Sequence, residues 1–146
     1  MTSDFKKMKK LLLFSIAIFS SSLFMTASAQ CDTIATICGK HMTSDYISDG
    51  QQYRALLRGD EIAEFEMTLY GGSRYRISAC SGFQDGKLVF SILDQDRNLL
   101  FANNEYDMSP YWDFELDSTV DCIIEAKLKP GDAESGCAVL LVSFLQ

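Results

Sequence analysis

The chain has 146 residues, five cysteines, a single histidine and a formal net charge of −7 at pH 7. An acidic surface repels phosphate backbones and anionic lipid, so neither nucleic acid nor a membrane surface is expected as a partner. A chain of this length supports one domain around one core.

In chain order the first feature is an export segment. Lys6, Lys7, Lys9 and Lys10 form a basic start, and an apolar run interrupted only by serines follows from Leu11 to Met25. Ala27-Ser28-Ala29 then supplies the small residues that a signal peptidase requires. A membrane-spanning helix needs about 20 apolar residues, so the run reads as a removable segment, residues 1–29, with cleavage after Ala29. Met8 serves equally well as the start. Gln30, directly before Cys31, is not the small residue that lipid anchoring requires. Cleavage removes four lysines and Asp4, leaving nine basic and nineteen acidic side chains and a net charge of −10. The product is expected to be exported, to the periplasm or the medium.

All five cysteines, at 31, 38, 80, 122 and 137, lie beyond that segment. An oxidising compartment favours disulfides over zinc thiolates, and an odd number leaves one thiol over. Residues 30–50 show no clear periodicity and are expected to be irregular. His41 lies here, and any serine or cysteine triad would have to use it. No G-x-S-x-G elbow accompanies it, and zinc through Cys31, Cys38 and His41 lacks a fourth ligand. No Gly-rich phosphate loop opens a helix either, so nucleotide binding is unsupported.

From residue 51 to 146 the pattern has period two, the mark of strands with one face on a core. Candidate strands are "QYRALL", "AEFEMTLY", "SRYRISAC", "KLVFSIL", "LLFAN", "YWDFEL", "VDCIIEAKL" and "CAVLLVSFL", separated by glycine-, asparagine- and proline-rich turns. About eight short strands with no convincing helix predict an all-β fold, an antiparallel sandwich or jelly roll. The last strand is apolar on both faces, which suits a central position.

Register can be carried further. A hairpin through Arg58-Gly59-Asp60 would pair Tyr53 with Phe65 and Ala55 with Ala63, with Asp60 in the left-handed site. The tripeptide also occurs in adhesion ligands, but turn geometry accounts for it. A second hairpin through Tyr70-Gly71-Gly72 would pair Phe65 with Ile77, Met67 with Tyr75 and Glu66 with Arg76, with Gly72 left-handed.

The stretch "DQDRNLLFANNE" places Asp94, Asp96, Asn98 and Glu105 at calcium-loop positions 1, 3, 5 and 12. Leu99 replaces the glycine at position 6, and a strand after Asn98 would draw Glu105 away. An Asp/Asn-rich hairpin turn is the simpler reading; a weak calcium site at Asp94, Asp96 and Asn98 is the only cofactor expectation. In "NNEYDMSPYWDFEL", parity turns Trp112, Phe114 and Leu116 inward and leaves Tyr106 and Tyr111 as candidate ligand contacts. Among the cysteines, Cys122 shares a face with Ile124 and Ala126 and is expected to be buried and free. Cys80 ends one strand and Cys137 opens another, which predicts Cys80–Cys137, leaving Cys31–Cys38 as a local bridge.

The run "AEFEMTLYGGSRYRISAC", with "LVFSILDQDRNLLF" and "DCIIEAKL", resembles small secreted β-sandwich proteins of Bacteroidetes-type bacteria. It is also distantly similar in pattern to bacterial prepeptidase C-terminal domains, in which a strand, a glycine turn and Tyr-x-Ile precede an Asp-rich turn. Cys122-Ile123-Ile124-Glu125 stands where that group has a Gly-Tyr-x-Val-type strand. The resemblance, over residues 53–145, implies the sandwich fold and supplies no catalytic residue. A non-catalytic module binding a glycan, a protein or an envelope component is the expected function. The alternative is a small carboxylate hydrolase using the 106–113 loop, with Asp107 and Asp113 as its acids.

Overall fold

The computed structural model describes residues 27–145. The expected export segment lies outside these residues except for its last three, which begin a helix, α1 (Ala27–Cys38). A 3-10 turn (Gly39–His41) follows, then eight strands: β1 (Tyr46–Arg58), β2 (Ile62–Leu69), β3 (Ser73–Cys80), β4 (Leu88–Asp94), β5 (Leu99–Ala102), β6 (Tyr111–Leu116), β7 (Val120–Leu128) and β8 (Ser135–Leu145). They form two four-stranded antiparallel sheets, β1-β8-β3-β6 and β2-β7-β4-β5, so the protein is an all-β sandwich.

Alternation builds the core as expected. Tyr75, Ile77 and Ala79 of β3 and Ala138, Leu140 and Val142 of β8 face Leu88, Phe90 and Ile92 of β4 and Cys122, Ile124 and Ala126 of β7. Each leucine, isoleucine, valine or phenylalanine side chain among them contributes roughly 1.5–3 kcal/mol to folding when removed from water, and the alanines less. Trp112, Phe114 and Leu116 pack against the same core from the edge strand β6.

The connections correct both proposed hairpins. β1 and β3 lie in one sheet and β2 in the other, so residues 59–61 and 70–72 cross between sheets. Phe65 pairs with Ile124 and Met67 with Cys122 on β7, whereas Tyr75 and Ile77 pair with Phe114 and Trp112 on β6. Arg76 therefore meets Asp113, not Glu66. Tyr53 and Phe65 do touch, edge to face at 5.7 Å, but across the sandwich. The alternation is the same for both arrangements, because an inward residue meets the core whichever strand lies beside it. The left-handed residue of the first crossing is Gly59 (φ 55°), not Asp60; Gly72 (φ 77°) is left-handed as expected. At the second crossing a Cβ on Gly71 would lie 2.7 Å from the backbone of Ser118, so this connection sits directly on the one between β6 and β7. The β4–β5 connection alone, among those of the described strands, stays within a sheet.

The segment expected to be irregular is the second correction. α1 lies on the outer face of the first sheet and buries Cys31, Ile34, Ala35 and Cys38 against Cys80, Cys137 and Val139. These positions recur at i, i+3, i+4 and i+7, one face of a helix. Two turns separate Cys31 from Cys38, a rise of about 10.5 Å, too far for a disulfide between them. Instead the helix is stapled at both ends to the sheet, Cys31 to Cys137 and Cys38 to Cys80, with Cα separations of 5.4 and 5.7 Å. The end of β3 does lie beside the start of β8, since Cys80 pairs with Val139, two residues from Cys137. The helix lies over that junction and takes both thiols. β8 is apolar on both faces because one faces the core and the other faces α1.

Candidate functional site

At the end of the sandwich where β3 stops and β6 begins, two loops stand side by side. The first, residues 81–87, leaves β3; the second, residues 103–110, joins β5 to β6. A Cβ on Gly86 would lie 3.6 Å from that of Met108, so the loops are in contact.

The second loop is built on Asn103, which is fully buried. Its Oδ1 accepts from the Phe90 N–H at 3.0 Å, while its Nδ2 donates to the carbonyls of Leu88 and Ser109, each at 3.0 Å. Its own carbonyl accepts from the N–H groups of Tyr106 and Met108. One side chain thus ties the loop to β4 at its root and to itself at its far end. Asp107 (φ 53°) and Met108 (φ 56°) are both left-handed. For non-glycine residues that conformation costs on the order of 1–3 kcal/mol each and concentrates at functional sites. Asn103 and its hydrogen bonds hold the loop in a conformation that the chain alone disfavours.

The loop presents Tyr106, 46% exposed, with Glu105 and Asp107. The Tyr106 ring stacks on Phe101 (centroids 5.4 Å apart, planes 10° apart) and leans on Trp112 at 4.5 Å. In the neighbouring loop Phe83 is 76% exposed. It forms one rim of an apolar groove of about 450 Å³, shared with Gln30, Ile34, Ala133 and Gly136.

Tyr111 is placed differently. It belongs to a stack on the outer face of β3 and β6 in which the Arg76 guanidinium lies between the Tyr46 and Tyr111 rings, 4.5 Å from each centroid. Arg76 donates to both Asp113 oxygens at 2.7 and 2.8 Å and to the His41 carbonyl at 3.0 Å. The Arg76 bonds hold the Asp113 carboxyl below its ordinary range, against the opposing effect of burial. His41 packs on Tyr111 and contacts Asp85, which Lys40 also contacts. Burial raises the Asp85 pKa, but the bonds from Lys40 and His41 outweigh it and leave it lowered. This network fastens the 3-10 turn to the sheet.

The remaining candidates are dispersed. Asp94 accepts from the backbone N–H and the side-chain amide of Asn98, both at 2.8 Å, so its oxygens close the β4–β5 turn. Those bonds lower its pKa. β5 carries Glu105 to the opposite end of the strand, and no cluster of three metal-ligating side chains occurs among the described residues. Cys31 and Cys38 are disulfide-bonded, which removes them from any zinc set with His41. Cys122 is free and buried, and burial pushes its thiol up to about 11. Of the two tyrosines expected as contacts, Tyr106 stands exposed on the 103–110 loop and Tyr111 is packed on Arg76; Asn103 and Phe83 were not singled out in the sequence. Their only signals were a second asparagine at a strand end and an aromatic residue inside a glycine-rich turn.

Fold and site together describe an antiparallel β-sandwich with a disulfide-pinned helix on one face and a pre-formed loop at one end. No family model matches the chain, and no curated protein matches it. Among solved structures, the chain is similar to the crystal structure of Aeromonas hydrophila PliG, a periplasmic lysozyme inhibitor of g-type lysozyme. The TM-score is 0.51 at 13% identity, over 71% of this chain and 91% of that one, and what the two share is the fold.

Proposed function

We propose that the chain is an exported, non-catalytic module that binds another protein through the end of the sandwich formed by loops 81–87 and 103–110. The observation that carries this reading is the 103–110 loop, fixed by buried Asn103 in a strained conformation with Tyr106 at its tip. A rigid loop loses little entropy on binding, and exposed aromatic side chains are the usual anchors of protein interfaces. The fold shared with a periplasmic inhibitor supports a protein partner and makes a wall-cleaving enzyme of the lysozyme kind the first to test. Export is supported by the two disulfides, which persist in an oxidising compartment.

A glycan platform is less well supported, since Tyr106 is stacked on Phe101 and Tyr111 on Arg76. The hydrolase reading needs a carboxyl of raised pKa as general acid, whereas Asp113 is lowered and pinned by Arg76. The test is calorimetric titration of residues 30–146 into g-type lysozyme, alongside lysis of a cell-wall suspension. Saturable binding with slowed lysis is expected, weakened at least tenfold by Tyr106→Ala. Absence of binding to a panel of wall-cleaving enzymes would remove this partner class. Hydrolysis of esters, peptides or glycosides that is lost in Asp107→Asn would overturn the non-catalytic reading.

A further inference from the structure

A separate cleft lies at the end of the sandwich away from loops 81–87 and 103–110, between the edge strands β1 and β2. It opens where β1 leaves its ladder: between the pairs Ser48–Ser143 and Gln52–Leu141, β1 advances four residues and β8 only two. Such a bulge re-aims side chains, and Gly50 (φ 81°) takes the left-handed conformation within it. The Asp49 carboxylate accepts from the Gln51 N–H at 2.8 Å and from the Tyr53 hydroxyl at 3.3 Å, which holds it at the rim. Glu66 comes from β2, and Tyr53, Tyr70, Tyr75 and Phe144 line the space, about 460 Å³.

We propose that this cleft binds a small organic ammonium ion, held by the four aromatic rings and the Asp49 and Glu66 carboxylates. An aromatic ring attracts a cation to its face, and a carboxylate adds charge of the matching sign. Among the described residues, none that lines the cleft is basic, so no side chain there competes for the carboxylates. A carboxylate that accepts two hydrogen bonds keeps lone pairs for a further partner, so the bonds from Gln51 and Tyr53 position Asp49 without satisfying it. Burial raises the Tyr53 pKa, and the Asp49 charge raises it further, the second effect being the negative field that a cation would meet. A neutral sugar calls for donors as well as acceptors, whereas the two carboxylates only accept. The volume falls in the range of small-molecule sites.

Titration of choline into the purified, disulfide-bonded protein, followed by amide chemical shifts, tests this against choline's uncharged carbon isostere, dimethylbutanol, and against N-acetylglucosamine. Choline should shift Gln51, Tyr70 and their neighbours saturably, and the isostere should bind more weakly by about fivefold or more. Tyr70→Ala removes a ring that is 63% exposed and keeps the backbone N–H bonded to the Tyr75 hydroxyl. The fold should therefore stand while choline binding falls by about fivefold or more. Asp49→Asn, which keeps an oxygen for the Gln51 N–H, should weaken choline and leave the isostere unchanged. Equal binding of choline and the isostere would overturn the proposal, as would stronger binding of the sugar, shifts confined to loops 81–87 and 103–110, or no saturable shift at all.

Discussion

Asn103 illustrates how one polar side chain can decide the shape of a loop. Replacing it by alanine leaves the buried Phe90 N–H without its acceptor and the Leu88 carbonyl without its donor. One such orphaned group costs about 1–3 kcal/mol. Asn103→Ala should therefore lower the unfolding free energy by at least that amount, read as a lower urea midpoint, and release Asp107 and Met108 from the left-handed region. Denaturant titration measures the first effect and backbone chemical shifts the second; an unchanged loop would show that Asn103 is not its support. The Arg76–Asp113 pair makes a second residue-scale prediction. Because the folded-state pKa of Asp113 lies below its unfolded value, the pair's contribution is present above about pH 4, the ordinary carboxylate range, and is lost as pH falls through the folded value. Asp113→Asn should thus lower stability at pH 7 and flatten the acid limb of the stability curve. An unchanged acid limb would place the acid sensitivity elsewhere.

At the scale of elements, the two sheets are held in register where their connections touch. Gly71→Ala would put a methyl group against the Ser118 backbone, which cannot yield as a flexible side chain does. A loss of about 1–3 kcal/mol is expected from such overpacking, read as a lower thermal midpoint, while Gly39→Ala, where the space is open, should leave the midpoint within experimental error. The strands themselves were legible in the sequence, since β2 and β3 alternate residue by residue and glycines mark their ends. Their neighbours were not legible, because alternation assigns a face and says nothing about which strand lies alongside. Helix α1 was readable in principle from Cys31, Ile34, Ala35 and Cys38, a single helical face. Reading the two cysteines as a local pair hid that spacing and misassigned both disulfides. Around the site, parity turned Trp112, Phe114 and Leu116 inward, as they are found. Asn103 could not be picked out, since a buried asparagine and a turn asparagine look alike until the backbone around them is known.

The charge of the whole molecule bears on how it finds a partner. The full chain carries a formal net charge of −7, and the expected cleavage after Ala29 would make it −10, a field that draws cationic proteins and repels anionic ones. If the partner is cationic, association should be fast at low ionic strength and slow by roughly tenfold or more at high salt, with dissociation changed much less. Stopped-flow or surface-binding kinetics across a salt series measures this. A flat on-rate would mean that the contact is made without steering.

The place of β8 has a consequence in time. It lies between β1 and β3, yet it is the last described strand along the chain, so the first sheet cannot close until β8 has emerged and docked. An unfinished sheet keeps the chain extended, the condition a polypeptide needs while it is threaded through a membrane pore. The two staples differ in the same way: Cys38 and Cys80 are 42 residues apart, whereas Cys31 must wait for Cys137 across 106. Loop-closure entropy alone favours the shorter span by about 0.8 kcal/mol. Oxidative refolding quenched with acid at intervals should therefore trap Cys38–Cys80 as the early species and Cys31–Cys137 as the step that completes the native protein. Accumulation of Cys31–Cys137 alone would reverse that order and make the central strand the first to dock.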